Sequence, residues 1–217
     1  MDIVVVTPPP VEPVTIEEAF VHLRLDDPTE SNPDYAAVLA QITSAREQCE
    51  QITRRAFVQQ GLRLIRGPAM PSERRGWDWL VRGCGGWQDI ELPRPPFVEV
   101  TAVRYYGDDG TLQTLDPTAY TVIAGLVASL RTTNAPSVQY RGDAIQIDYT
   151  AGYPPVPADP DAVPPTEIDY RGNIPKSIKQ AILLGVQLQY DELTPEKRKA
   201  LEDARDALLS SYRVWTF

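Results

Sequence analysis

The spacing of apolar residues changes twice along this chain, from a helical period to a period of two and back, and that double switch limits the folds open to it. From Thr15 to Ala56 apolar side chains recur at three- and four-residue steps; from Gly61 to Tyr153 they alternate; from Ile174 onward the helical spacing returns. Strands that follow one another without intervening helices pair antiparallel. The expected class is therefore α+β: a bundle of about four helices with an antiparallel β-rich insertion between helices 2 and 3 and an extended carboxyl-terminal tail. The expected divisions are N-terminal helices over residues 1–60, the β-rich insertion over 61–153, a Pro-rich linker over 154–173, and C-terminal helices with the tail over 174–217, all within one compact domain.

Local signals support each element. Thr15-Ile16-Glu17-Glu18 fits a capping box, and Ile16, Ala19, Phe20 and Leu23 follow on one face. A second helix starts after Asn32-Pro33-Asp34, with Tyr35, Val38, Leu39, Ile42, Ala45, Cys49, Ile52 and Ala56 as its stripe. Strands are expected at 62–65, 88–92, 98–103, 120–123 and 144–149, with a turn at Gly107-Asp108-Asp109-Gly110. The third helix is apolar nearly all round, from Ile178 to Leu188, and is expected to be central. Thr194-Pro195-Glu196 opens a fourth, with Ala200, Leu201, Ala204 and Leu208 as its inner face.

Composition excludes several classes. The chain has 217 residues, 42% of them hydrophobic and 24% charged, values ordinary for a globular protein. The longest apolar stretch, near Ala181–Val186, is far short of the ~20 residues of a membrane-spanning helix. Met1-Asp2-Ile3-Val4-Val5-Val6 has no basic flank, so it does not read as a signal peptide. One histidine, His22, and two cysteines, Cys49 and Cys84, make a histidine triad or a zinc site improbable. Neither a phosphate-binding glycine loop nor a nucleophile elbow is present. Asp159, Asp161, Glu167 and Asp169 cluster, but their spacing misses a calcium loop. No catalytic, cofactor-binding or metal-binding residue is expected, and the chain does not read as an enzyme.

The net charge is −9, and between Gly107 and Tyr170 nine carboxylates face only Arg131 and Arg141. Such a segment is unsuited to wrapping a phosphate backbone. It suits a surface that repels DNA, and ordinary solubility accounts for it equally well. Two aromatic groups stand out. Trp77, Trp79 and Trp87 lie among glycines and arginines, in a loop that either contacts a partner or folds back over the sheet. Tyr212, Val214, Trp215 and Phe217 crowd the last six positions, where chain ends are usually polar. They either complete the protein's own core or dock into another protein.

Several blocks, in order, resemble one family. Pro13-Val14-Thr15-Ile16-Glu17-Glu18-Ala19-Phe20-Val21-His22-Leu23-Arg24-Leu25-Asp26 is similar to its opening, and Ala45-Arg46-Glu47-Gln48-Cys49-Glu50-Gln51-Ile52-Thr53-Arg54-Arg55-Ala56 to its helix end, with Arg54 where glycine is usual. Leu92–Val100, Tyr105–Gly110, Ile147–Tyr153 and Ile174–Ile182 follow. The set resembles the head–tail connector, or adaptor, proteins of long-tailed phages and related gene-transfer particles. The resemblance implies a structural protein of the virion neck, made in the bacterial host cytoplasm. Copies of itself would form a ring, usually of twelve, under the portal protein, extending the DNA channel and offering a platform to the next neck (stopper or head-closure) protein. DNA would be passing cargo only, with no membrane involved. It also implies portal binding by Tyr212, Val214, Trp215 and Phe217, and the acids Asp108, Asp109 and Asp143 become candidate channel-lining residues. Two other readings stay open: a monomeric protein-binding or regulatory module, and a hydrolase using the acidic cluster at Asp159.

Overall fold

The structure, a computed structural model, describes residues 2–67, 87, 89–133, 135–157 and 168–215. The chain forms two compact units, one from Met1–Pro8 with Gln60–Gly152 and the other from Pro9–Gln59 with Tyr153–Phe217. Among the described residues there are four helices and antiparallel sheets, as the spacing of apolar residues predicts. None of these helices is long and apolar enough to cross a membrane.

The second unit holds the helices α1 (Ile16–Leu23), α2 (Tyr35–Thr53), α3 (Lys176–Tyr190) and α4 (Pro195–Leu209). The Thr15 hydroxyl accepts from the Glu18 N–H while Glu18 accepts from the Thr15 N–H, so the expected capping box starts α1. Helix α3 touches α1, α2 and α4, and so is central to the unit. It buries Ile178, Ala181, Ile182, Gly185, Val186 and Leu188. A methyl group added at Gly185 would lie 3.0 Å from Ala45 Cβ, so this glycine lets α2 and α3 approach closely. Helix α4 departs from expectation: Ala200 and Ala204 are exposed, and Leu209 is its one buried residue among those described.

The stripe on α2 contains two charged residues the apolar pattern passes over. Arg46 and Glu50 are 6% and 2% exposed. Arg46 Nε donates to Glu12 at 2.8 Å and Nη1 to Glu50 at 3.1 Å. Burial opposes its charge, but Glu50 and Glu12 outweigh that and its pKa rises. The other Glu50 oxygen accepts the Phe57 N–H at 2.8 Å. This closes the turn that follows α2, where Arg54 caps the helix at φ 56°. That left-handed conformation is the reason glycine is favoured there. The Ala45–Ala56 block is thus a scaffold of buried ion pairs and a cap.

The first unit is built from β1 (Asp2–Thr7), β2 (Gln60–Arg66), β3 (Ile90–Leu92), β4 (Phe97–Tyr106), β5 (Leu112–Thr114), β6 (Tyr120–Ile123), β7 (Ala128–Thr132) and β8 (Ile145–Ala151). A five-stranded sheet runs β1-β2-β8-β4-β5 and a three-stranded one β3-β7-β6, every pairing antiparallel. Strand β8 alternates buried and half-buried along its whole length, with Ile145, Ile147, Tyr149 and Ala151 inward. Two register shifts in β4, at Phe97/Glu99 and Val100/Ala102, interrupt its alternation. Strand β1 is an element the sequence reading passes over: the apolar N-terminus pairs with β2, Ile3 opposite Leu64 and Val5 opposite Leu62. In the other unit, β9 (Val156–Pro157) and β10 (Ile168–Asp169) pair within the stretch read as linker.

Candidate assembly surfaces

The carboxyl-terminal tail begins where α4 ends, in a 3-10 turn over Ser210–Tyr212. The last carbonyls of any helix lack intrahelical donors. At the end of α2 the tail supplies them. Arg213 Nε donates to Ile52 O at 3.2 Å, and the Val214 N–H donates to Thr53 O at 3.0 Å. In return Arg55 Nε donates to Tyr212 O at 2.5 Å. Tyr212 packs half-buried against the helical core, and Val214 is 2% exposed. The next side chain reverses this: Trp215 is 67% exposed, with the Arg213 guanidinium 5.5 Å from its ring centre. The structure therefore divides the four tail residues. Tyr212 and Val214 belong to the protein's own core, which corrects the expectation that Val214 offers its side chain to a partner. Trp215 is presented outward, and Phe217 lies outside the described residues.

Of the tryptophan group, Trp77 and Trp79 also lie outside the described residues. Trp87 is fully buried, which corrects its reading as a contact residue. Its indole N–H donates to Pro136 O at 3.0 Å, its carbonyl accepts from the Thr132 hydroxyl, and its ring meets Tyr105 edge-on at 5.7 Å. A large ring with one polar N–H is stable inside when that N–H finds an acceptor.

The acids sit in the first unit, and each has a local hydrogen-bond partner. Asp108 accepts from the Ser137 hydroxyl at 2.9 Å. Asp109 accepts from the Thr111 N–H at 3.0 Å and its hydroxyl at 2.8 Å, which holds its carboxyl below the ordinary 3.8. Asp143 is paired with Arg141, whose guanidinium lies 3.7 Å over the Tyr106 ring; hydrogen bonding from Arg141 lowers the Asp143 pKa. On the same sheet Asp148 lies between Arg63, at 2.6 Å, and Arg104. Turn building and arginine pairing thus use much of the acidity of this segment. Asp108 and Asp109 remain exposed, while the Asp143 charge is neutralised by its partner.

The signal that sequence reading missed is at the other end. Val4, Val5 and Val6 in β1 are 47%, 45% and 50% exposed. The apolar run was visible, but the strand and its edge position depend on a partner segment more than fifty residues away. Among the described residues no three His, Cys, Asp or Glu side chains gather as a metal site. Burial raises the Cys49 thiol to about 12, so it is an unreactive core residue.

No family model matches this sequence, and no curated protein matches it. Solved structures do. A chain in the virion of a native gene transfer agent (GTA) particle is 20% identical, with a TM-score of 0.68, over 100% of this chain and 97% of that one. A chain in the neck of an empty GTA particle, computed with C6 symmetry, has 20% identity and a TM-score of 0.69 over the same shares. One in the neck of a native GTA particle, computed with C12 symmetry, has 19% identity and a TM-score of 0.64. The chain therefore shares, along its whole length, the fold of chains found in GTA virions and necks.

Proposed function

We propose that this chain is a structural subunit of a phage-like neck, a head–tail connector whose copies form a ring beneath the portal. It works by shape and stacking, without bond-making chemistry. The observation that carries this reading is Trp215: an exposed indole on a tail whose root, Tyr212 to Val214, is held against the end of α2. Holding the root lowers the entropy lost when the tip docks. The full-length likeness to GTA particle chains, two of them from necks computed with sixfold or twelvefold symmetry, supports a ring and a neck location. The portal would receive Trp215 and Phe217, and the opposite side of the ring would meet the next neck protein. DNA would pass through as cargo, with Asp108 and Asp109 as candidate channel acids. Synthesis would take place in the host cytoplasm.

The test is native mass measurement of the full chain mixed with the portal protein of the same particle. A complex carrying a fixed, ring-sized number of copies is expected. Trp215→Ala should weaken it at least ~10-fold, the effect of losing an interface anchor. No complex with the portal at any concentration would overturn the reading.

A further inference from the structure

A strand at the edge of a sheet presents a row of unpaired N–H and C=O groups, and monomeric proteins guard such edges with lysine, proline or a covering element. Among the described residues, strand β1 holds one edge of the five-stranded sheet and pairs only with β2. Within Asp2–Thr7 there is neither lysine nor proline; the irregularity between Val5 and Thr7 and the prolines from Pro8 end the strand but leave Asp2–Val5 regular. Its valines are exposed on both faces. Val5 shares the face of Leu62 and Tyr149, and Val4 that of Arg63 and Asp148. At the opposite edge β5 is exposed throughout, with Leu112 at 45%.

The directions of these two edges fit one another. Four successive antiparallel pairings separate β1 from β5, so both run the same way. A neighbour placed head to tail along the sheet therefore offers its β5 parallel to β1. The register adds a stagger. Across the sheet Asp2 lies level with Thr114, through Ile65, Gln146 and Arg104. Laying all of β5 beside β1 takes a slip of two residues, about 7 Å. A slip of two keeps each side chain on its face, setting Thr114 beside Val4 and Leu115 beside Val5. Staggered pairing of this kind is what a sheet needs in order to curve and close.

We infer that the β1 edge of one copy pairs in parallel with the β5 edge of the next, so that the first unit contributes a continuous β layer to the ring. This rests on the ring reading above. The two patches differ, as a closed ring requires; pairing of β1 with β1 would run antiparallel and stop at a two-fold dimer. The overlap is only about three residues, so the contact is weak alone and forms when other contacts bring copies together.

The experiment is disulfide cross-linking in portal-bound complexes of the full chain, in a Cys84→Ser background with Cys49 left buried. The double variant Val4→Cys with Thr114→Cys should give a ladder of covalent multimers, and each single variant none. Dimers from Val4→Cys alone would overturn the inference in favour of β1–β1 pairing. A complex of ring mass with no ladder would also overturn it and leave the connector reading standing; no ring mass at all would remove both. As a second measurement, Val4→Lys should lower the ring-bound fraction at least ~10-fold while the melting temperature stays within about 2 °C, since a charge on an exposed edge blocks pairing without touching the core.

Discussion

The two apolar ends of the chain are composed alike and held differently. At the N-terminus three valines lie in an edge strand and remain about half exposed, β2 being the one strand beside β1 among the described residues. At the C-terminus Val214 is buried and its N–H is bonded to Thr53 O, because α2 ends there with carbonyls to satisfy. An apolar residue near a terminus is thus core or contact according to whether the fold leaves an unsatisfied neighbour within reach. Hydropathy alone does not separate Val214 from Val4.

Substitutions can break this contrast, and the largest effect falls on the structure that holds the tail root. Glu50→Ala leaves Arg46 with one fewer buried partner and the Phe57 N–H without its acceptor. Breaking a buried pair in this way costs about 3–5 kcal/mol. Denaturant unfolding should show that loss, and the tail should become protease-sensitive. Val214→Ala comes next, at about 2 kcal/mol for a buried branched side chain. Val4→Thr and Trp215→Ala, on exposed positions, should each stay within ~0.5 kcal/mol in the same assay. If Val214→Ala were as mild as Val4→Thr, the distinction between the ends would fail.

The smallest effect concerns pH. Asp109 and Asp116 have their carboxyls held below the ordinary 3.8, by hydrogen bonds from Thr111 and Thr118. A pKa lowered in the folded state means stability that is present above the unfolded value and lost as pH falls through the folded one. The β4–β5 turn and the short helical turn at Pro117–Ala119 should therefore be unchanged from neutral pH down to about 4 and loosen only below it. Amide exchange at Thr111 and Thr118 would follow this.

Local signals were legible in the sequence; distant partners were not. The capping box at Thr15 and Glu18 and the turn at Gly107–Gly110 are set by residues within a few positions of each other, and the structure has both. The central position of α3 followed from its apolar surroundings. Strand β1 and the burial of Val214 depend on β2 and on Thr53, far along the chain. The burial of Arg46 and Glu50 has no local signal, because their partners Glu12 and Phe57 are brought to them by the fold. Sequence left Trp87 open between contacting a partner and folding back over the sheet, because its acceptor, Pro136, lies 49 positions further on. Of the candidate site, the aromatic tail was visible, but the division between an anchored root and a free tip was not.

The most direct test of the account separates tip from root. A chain ending at Val214, without Trp215, Thr216 and Phe217, is predicted to keep the melting temperature of the full chain and to lose capture by the portal. Retained capture, or a large drop in melting temperature, would contradict the claim that the tip is the contact and the root its mount.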